Sequence, residues 1–403
     1  MAFNSNTKRP VYITCIIALV YTIVLVANDF LAFQELYQDE NHYLPTAVMF
    51  SHEIIPSLNL LKTYNQLNTP LPFILGGWVI RLLGADVQYL RLMNFLLSFC
   101  VLLLFVWFRT GARGQRWLYL VPLVAMPSFY LCAIHYYTDM AAWLAVLLGM
   151  VAYLEQKHFP ACVAFAAAIA SRQYMLAFPL AIGLFEVLRI WEESKWDIRT
   201  LTGKLVADRR WMWYVAAVLS LVPWILLWGG PAPAAIMQEQ HYGNAPFYNP
   251  GFVIYVSAIA AFYFVIPEAL LEKTWSYFIS YPARYPRTFV SIVSVVIVLV
   301  VFFPPRQTYN AYFTWPYLGY LDQLLVALRI PGFARNIVFG ILMSLTLMRF
   351  VNPGKVTLNS LLVAVNILLL GKAQLSWDKY FFPTLMILWF LAMHREERAV
   401  RFK

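Results

Sequence analysis

The chain has 403 residues, of which 61% are hydrophobic and only 12% charged, with a mean hydropathy of +0.64 and a formal net charge of +10. That composition leaves too little polar surface to face water and excludes a soluble globular protein. In so apolar a chain the basic excess reads as loop asymmetry across a bilayer, not as affinity for nucleic acid.

At the N-terminus, Lys8 and Arg9 precede an apolar run from about 11 to 28. It is too long for a signal peptide and lacks a small-residue cleavage site, so it reads as a retained signal anchor. Apolar segments then follow near 88–108, 117–134, 139–154, 159–171, 173–190, 211–229, 251–267, 288–304, 336–350, 356–371 and 379–394. With the first segment, at 11–31, this predicts an all-α polytopic transmembrane bundle of about twelve spans. Aromatic residues, 17% of the chain, recur near the segment ends as an interfacial belt requires. The run from Pro70 to Gly84 is different: at 1.5 Å per residue it reaches only about 21 Å, short of a ~30 Å hydrocarbon core. It is expected to lie in the interface or to enter part-way.

Lys and Arg are retained on the cytoplasmic side and so test the topology. If 70–84 does not span, the loops near 109–116, 157, 189–210, 273–287 and 349–355 share one side with both termini. Together they hold 21 of the 30 Lys and Arg residues. The outer segments are then 32–87, 134–139, 230–250 and 305–335. The first outer loop, 32–87, carries an amphipathic stretch at about 42–55 as well as the short apolar helix. No repeat, low-complexity tract or soluble domain is visible, so residues 1–403 read as one multi-pass membrane domain. Cys15, Cys100, Cys132 and Cys162 fall singly in apolar segments, without the spacing of a disulfide framework or a zinc site.

The polar groups stand out against this background. In Gln38-Asp39-Glu40-Asn41-His42-Tyr43 an acid pair follows the first span by about ten residues. Such a pair is expensive to desolvate and useful as a base, a cation ligand or a binding group, or it merely solvates a helix mouth. Asp139 ends His135-Tyr136-Tyr137-Thr138-Asp139 between two apolar runs, where a helix N-cap is the plainer alternative. Arg172-Gln173 interrupts two further runs, and an Arg at a boundary often only snorkels. The loop at 230–250 has no Lys or Arg but carries Gln238-Glu239-Gln240-His241-Tyr242, suited to a polar, uncharged ligand. Asp378 and Lys379 begin the last span. On the topology above, Asp39-Glu40, Asp139, Arg172-Gln173, His241 and Lys379 share the outer interface.

Such a set supports transfer of a sugar from a lipid-phosphate donor. A carboxylate such as Asp39 can take the proton of an attacking hydroxyl, and Arg172 and Lys379 can meet the leaving phosphate. A metal is the competing use of acids near His42 and His241, but no recognised ligand spacing is present, so neither metal nor other cofactor is expected.

These residues resemble the GT-C membrane glycosyltransferases, whose first outer loop bears an acidic pair after the first span and is followed by interfacial helices. More narrowly, His135-Tyr-Tyr-Thr-Asp139 and Ser171-Arg172-Gln173 are similar to motifs of the dolichyl-phosphate-glucose-dependent alpha-1,2-glucosyltransferase family of N-glycan precursor assembly. The stretch from Gln240-His241 to Pro267 and, more loosely, Asp378-Lys379-Tyr380 are similar as well, so that about half the chain is covered. The chain departs from that pattern where His42 directly follows Asn41 and where Tyr174-Met175 follow Arg172-Gln173. The resemblance implies a hexosyltransferase with a polyprenyl-phosphate sugar donor, glucose favoured, and a lipid-linked glycan or similar acceptor. It implies inversion at the anomeric carbon, with Asp39 as the base and Glu40 supporting it or orienting the acceptor, while the sequence leaves open an exchange of these two roles. Arg172, Gln173 and Lys379 would hold the donor, while Tyr137, Asp139, His241 and Asp378 would position substrate. The membrane would be that of the endoplasmic reticulum in a eukaryote or the inner or plasma membrane in a prokaryote, with the site on the lumenal or periplasmic side. Mannose, arabinose or aminosugar donors remain open within the same fold, and a transporter or lipid flippase remains open outside it.

Overall fold

The structure, a computed structural model, describes residues 5–27, 35–108, 117–195, 197–239, 248–306, 317–373, 377–394 and 399–401. It is almost entirely helical. In chain order the helices begin with α1 (Ser5–Ala27), α2 (Glu40–Ser51), α3 (Leu58–Thr63), α4 (Leu71–Leu83), α5 (Val87–Trp107), α6 (Leu120–Val124) and α7 (Pro127–Ile134). They continue with α8 (Asp139–Leu154), α9 (His158–Ser171), α10 (Ala177–Glu193), α11 (Ile198–Ala207), α12 (Arg210–Leu219), α13 (Val222–Trp228) and α14 (Ala234–Glu239). The remainder are α15 (Pro250–Ala260), α16 (Ile266–Leu271), α17 (Trp275–Arg284), α18 (Pro286–Phe302), α19 (Tyr320–Ala327), α20 (Gly332–Phe350), α21 (Leu358–Leu370) and α22 (Asp378–His394). A π turn, Ala261–Val265, joins α15 to α16, and two three-residue strands, β1 (Lys355–Thr357) and β2 (Ala399–Arg401), pair antiparallel.

Among the described residues, six helical segments are long and apolar enough to cross a membrane: Pro10–Ala27, Val87–Trp107, Gln173–Glu193, Arg210–Trp228, Pro250–Leu271 and Gly332–Phe350. Two bent pairs, α7 with α8 at 113° and α17 with α18 at 103°, raise the number to eight if each counts as one span. The protein is therefore an all-α integral membrane protein with six to eight candidate spans, where hydropathy alone predicts about twelve. The apolar runs that hydropathy counts beyond these eight lie in the two limbs of the bent α7–α8 pair and in the short helices α9, α21 and α22. The apolar run at 117–134 is divided among the 3-10 turn Trp117–Tyr119, α6 and α7. The runs forming α9 and α21 make helices of 14 and 13 residues, shorter than a ~30 Å core requires, while α22, with 17 residues, stands at the lower end of the spanning range. The predicted short helix is present as α4, 13 residues long. Pro70 and Pro72 fix its first turn, where a missing N–H is harmless, and Gly84 at φ 109° ends it by bonding its N–H to the Ile80 carbonyl at 2.8 Å.

The residue contacts form two compact units: Met1–Ala125 with Phe129–Pro179 and Trp213–His241, and Met126–Ser128 with Leu180–Met212 and Tyr242–Lys403. In the first, α2 lies on α4 and α8 on α9. Lipid offers no hydrophobic drive between helices, so small residues that admit close backbones decide these contacts. A Cβ at Gly77 would stand 2.7 Å from the carbonyl carbon of Phe50, and Gly149 lies under the ring of Phe165. Helix α1 is attached to α5 by Tyr21 and Ser98, whose hydroxyls are 2.9 Å apart, and by Trp107 Nε1 donating to Thr14 Oγ1. In the second unit α22 is the core element, buried along nearly its whole length, with Trp389 edge-on to Phe264 of the π turn. A bidentate pair, Arg349 with Glu268, ties α20 to α16.

Candidate active site in the first unit

The acid pair sits where the chain enters α2. Gln38 adopts φ +44°, a left-handed conformation that a residue with a side chain reaches only at a cost of order 1 kcal/mol. Its amide oxygen accepts from the Tyr137 hydroxyl at 3.1 Å, and its carbonyl accepts from Asn41 Nδ2 at 3.0 Å. The two acids that follow meet opposite environments.

Glu40 is fully buried. Arg91 of α5 donates to it through Nε at 2.9 Å and Nη2 at 2.5 Å, the Tyr136 N–H at 2.7 Å and the Tyr37 N–H at 2.8 Å. Burial alone would raise its pKa, but the Arg91 guanidinium, the nearby His135 and the two backbone donors outweigh it and hold the carboxyl down at about 2. One turn further along α5, Asn94 Nδ2 donates to the carbonyls of His135 and Tyr137, each at 2.8 Å. Arg91 and Asn94 thus fasten both the acid pair and the 135–138 loop to one helix. The His135 ring stacks on Tyr37 at 4.3 Å.

Asp39 is only partly buried, and its Oδ2 accepts from the Tyr43 hydroxyl at 3.4 Å, one helical turn away. That hydroxyl in turn accepts from Asn68 Nδ2 at 3.4 Å, and the same amide donates to Thr138 Oγ1 at 3.3 Å. Asn68 Oδ1 accepts from Arg172 Nη1, and Arg172 Nη2 is paired with Asp139 Oδ2. Tyr174 donates its hydroxyl to Asp139 Oδ1 at 3.2 Å. Asp39, Tyr43, Asn68, Arg172, Asp139 and Tyr174 therefore form one continuous chain of polar contacts.

Local backbone explains how Arg172 reaches inward. Helix α9 ends at Ser171, Arg172 is extended at φ −149°, ψ 119°, and a 3-10 turn, Gln173–Leu176, restarts the helix. At this break the side chain turns into the unit instead of out to lipid; it is 5% exposed, and snorkelling is not its state. Asp139 opens α8 as its first residue but bonds no helix N–H as a cap, since Thr138 holds the cap position. Its carboxylate is spent on Arg172 and Tyr174. Gln173 donates to the carbonyls of Leu67 at 2.6 Å and Pro231 at 3.1 Å, fixing the Tyr64–Pro70 connection. Two charges so desolvated are tolerable only as a pair with further hydrogen bonds, which these have.

Of the sequence-predicted residues, Asp39, Glu40, Tyr137, Asp139, Arg172 and Gln173 lie together in this unit. Asp378 and Lys379 belong to the second unit. There Asp378 Oδ2 accepts from the Tyr255 hydroxyl at 3.2 Å and the Tyr320 N–H at 2.7 Å. Lys379 Nζ lies 4.7 Å from the centre of the Trp377 ring and 5.7 Å from that of Tyr380. A Cβ at Gly319 would overlap the Asp378 carboxylate, so only glycine fits there. His241 falls outside the described residues. Among the described residues no group of three or more His, Cys, Asp and Glu side chains is placed to hold a metal ion.

Sequence reasoning passed over Arg91, Tyr43, Asn68 and Asn94. Arg91 carried a readable signal, a lone charge within the apolar run 88–108. Tyr43 and Asn68 carried none, being ordinary polar residues near turns. Compared with known proteins, the chain matches no family model, no curated protein and no solved structure.

Proposed function

We propose that the protein is a membrane glycosyltransferase of the GT-C type, moving a hexose, glucose favoured, from a polyprenyl-phosphate donor to a lipid-linked glycan or similar acceptor. The acceptor hydroxyl oxygen forms a bond to the anomeric carbon and its proton passes to Asp39. The bond between that carbon and the phosphate oxygen breaks, polyprenyl phosphate leaves with the electron pair, and the configuration inverts. Arg172 and Gln173 stand on the donor side, with Tyr137 and Asp139 positioning them or a sugar hydroxyl. The site faces the lumen or periplasm. Asp378, Lys379 and His241 keep their expected roles in binding substrate, to be tested by their own variants.

The observation that carries this reading is the single polar network joining a partly exposed carboxylate, Asp39, to a guanidinium, Arg172, in a bundle otherwise built for lipid. It supplies both groups that the transfer needs: an acceptor for the hydroxyl proton and a cation for the leaving phosphate. The contrast within the acid pair supports Asp39 as the base. Glu40 is enclosed and bound on both oxygens, so it serves to anchor the loop.

Purified wild type and Asp39→Asn, offered radiolabelled polyprenyl-phosphate-glucose and extracted lipid-linked glycans, test this directly. Wild type is expected to transfer label, and the variant to lose about 10²–10⁴-fold while remaining folded. Equal turnover by the two would remove Asp39 from the base role. A transporter is the second reading, favoured by the buried Arg172–Asp139 pair at a helix break, a feature of substrate paths in transporters. Substrate flux into proteoliposomes that survives Asp39→Asn, with no sugar transferred by wild type, would establish it instead.

A further inference from the structure

We infer that Tyr43 and Asn68 are positioning residues that fix the acceptor geometry of Asp39 and couple it to Arg172; the inference rests on the reading of Asp39 as base. The direction of every link is set by chemistry. A guanidinium only donates, so Arg172 Nη1 forces the Asn68 amide to present Oδ1 to it. The Asn68 Nδ2 group is thereby turned toward the Tyr43 hydroxyl, at 3.4 Å, and Thr138 Oγ1, at 3.3 Å. The Tyr43 oxygen, having accepted from Asn68, has its own hydrogen to give, and Asp39 Oδ2 lies 3.4 Å away. The donors therefore run one way, from Arg172 to Asp39.

The supports of this chain are tightly held. Asn68 is buried, and its carbonyl accepts from the buried Tyr64 hydroxyl at 2.5 Å. The Tyr43 ring is packed among Phe73, Tyr136 and Tyr137. Gln173 holds the carbonyl of Leu67, next to Asn68, from the same break that places Arg172. A phosphate engaging Arg172 would thus be felt at Asp39 through two fixed side chains, and the base would be aligned when the donor is in place. Both links to Tyr43 are 3.4 Å, and catalytic hydrogen bonds of that length often tighten when substrate engages.

The experiment uses the whole 403-residue chain with Tyr43→Phe, Asn68→Asp and the double variant. Tyr43→Phe keeps the ring and removes the hydroxyl that donates to Asp39 and accepts from Asn68. Asn68→Asp keeps the acceptor for Arg172 and removes the donor to Tyr43. In initial-rate assays with the polyprenyl-phosphate sugar that wild type consumes, each single variant should lose about tenfold in kcat, the loss of one aligned hydrogen bond, with donor KM within about twofold. The double variant should fall no further than the worse single one, as expected of residues acting in series. Multiplying losses, or a Tyr43→Phe kcat within about twofold of wild type, would overturn the proposal. Infrared difference spectra supply a readout independent of turnover. The carboxylate band that vanishes in Asp39→Asn should shift in both single variants, and an unmoved band would overturn the coupling. Shifted bands in a protein that transfers no sugar would uphold the coupling and sink the glycosyltransferase reading alone.

Discussion

Glu40 shows how one buried acid organises its surroundings. Its carboxyl is held at about 2 in the folded protein, below its ordinary value of 4.5, after burial has been outweighed by Arg91, His135 and two backbone N–H groups. A carboxyl whose pKa is lower folded than unfolded contributes stability that is fully present above about 4.5 and is lost as the pH falls toward about 2. Thermal unfolding in detergent should therefore weaken steeply between those values. Glu40→Gln should flatten that dependence and, by leaving the Arg91 charge buried without its partner, destabilise the protein by about 3–5 kcal/mol at neutral pH. An unchanged acid profile in the variant would show that other carboxylates govern acid unfolding. The charged members of this site were legible in the sequence because a charge in an apolar chain needs a reason. Tyr43 and Asn68 were not, because neutral polar residues beside a turn have many uses and only their distances single them out.

At the scale of elements, the break between α9 and α10 and the short helix α4 were both readable. Arg172-Gln173 interrupts an apolar run, and Pro70 and Gly84 bracket one too short to span. What the sequence did not disclose is how α2 and α4 meet. Asp39 stands at the head of α2, and α2 rests on α4 where Gly77 faces the Phe50 backbone. A Cβ placed 2.7 Å from a carbonyl carbon cannot rotate away, so the two helices would have to separate. Gly77→Ala should destabilise by about 1–3 kcal/mol in thermal unfolding and, under the proposed function, reduce sugar transfer by displacing Asp39. Gly203, in the exposed α11, meets nothing within 4 Å, and Gly203→Ala should leave stability equal or raise it by up to about 1 kcal/mol. Equal behaviour of the two variants would show that the α2–α4 contact is not tight.

For the whole molecule, hydropathy gives the class, while the number of spans depends on where the backbone turns, which a window average of composition does not measure. The pair α7 and α8 is the sharpest case. Two apolar helices that pass together as one span by composition are bent by 113°. A chain that turns through more than a right angle heads back toward the face it left, so the pair is expected not to deliver it across. Between His52, after α2, and Lys157, after α8, α5 then crosses and α7–α8 returns, placing the two residues on opposite sides. The basic-residue asymmetry requires the same, with Lys157 on the side of the Arg109–Arg116 loop. Both are exposed and suited to labelling. With Cys15, Cys100, Cys132 and Cys162 replaced, His52→Cys and Lys157→Cys would be treated separately in sealed, oriented vesicles with a membrane-impermeant maleimide. One should react before the vesicles are opened and the other only afterwards. Reaction of both from the same side would mean that α7 and α8 form a single kinked span, and the side assigned to every later loop would reverse.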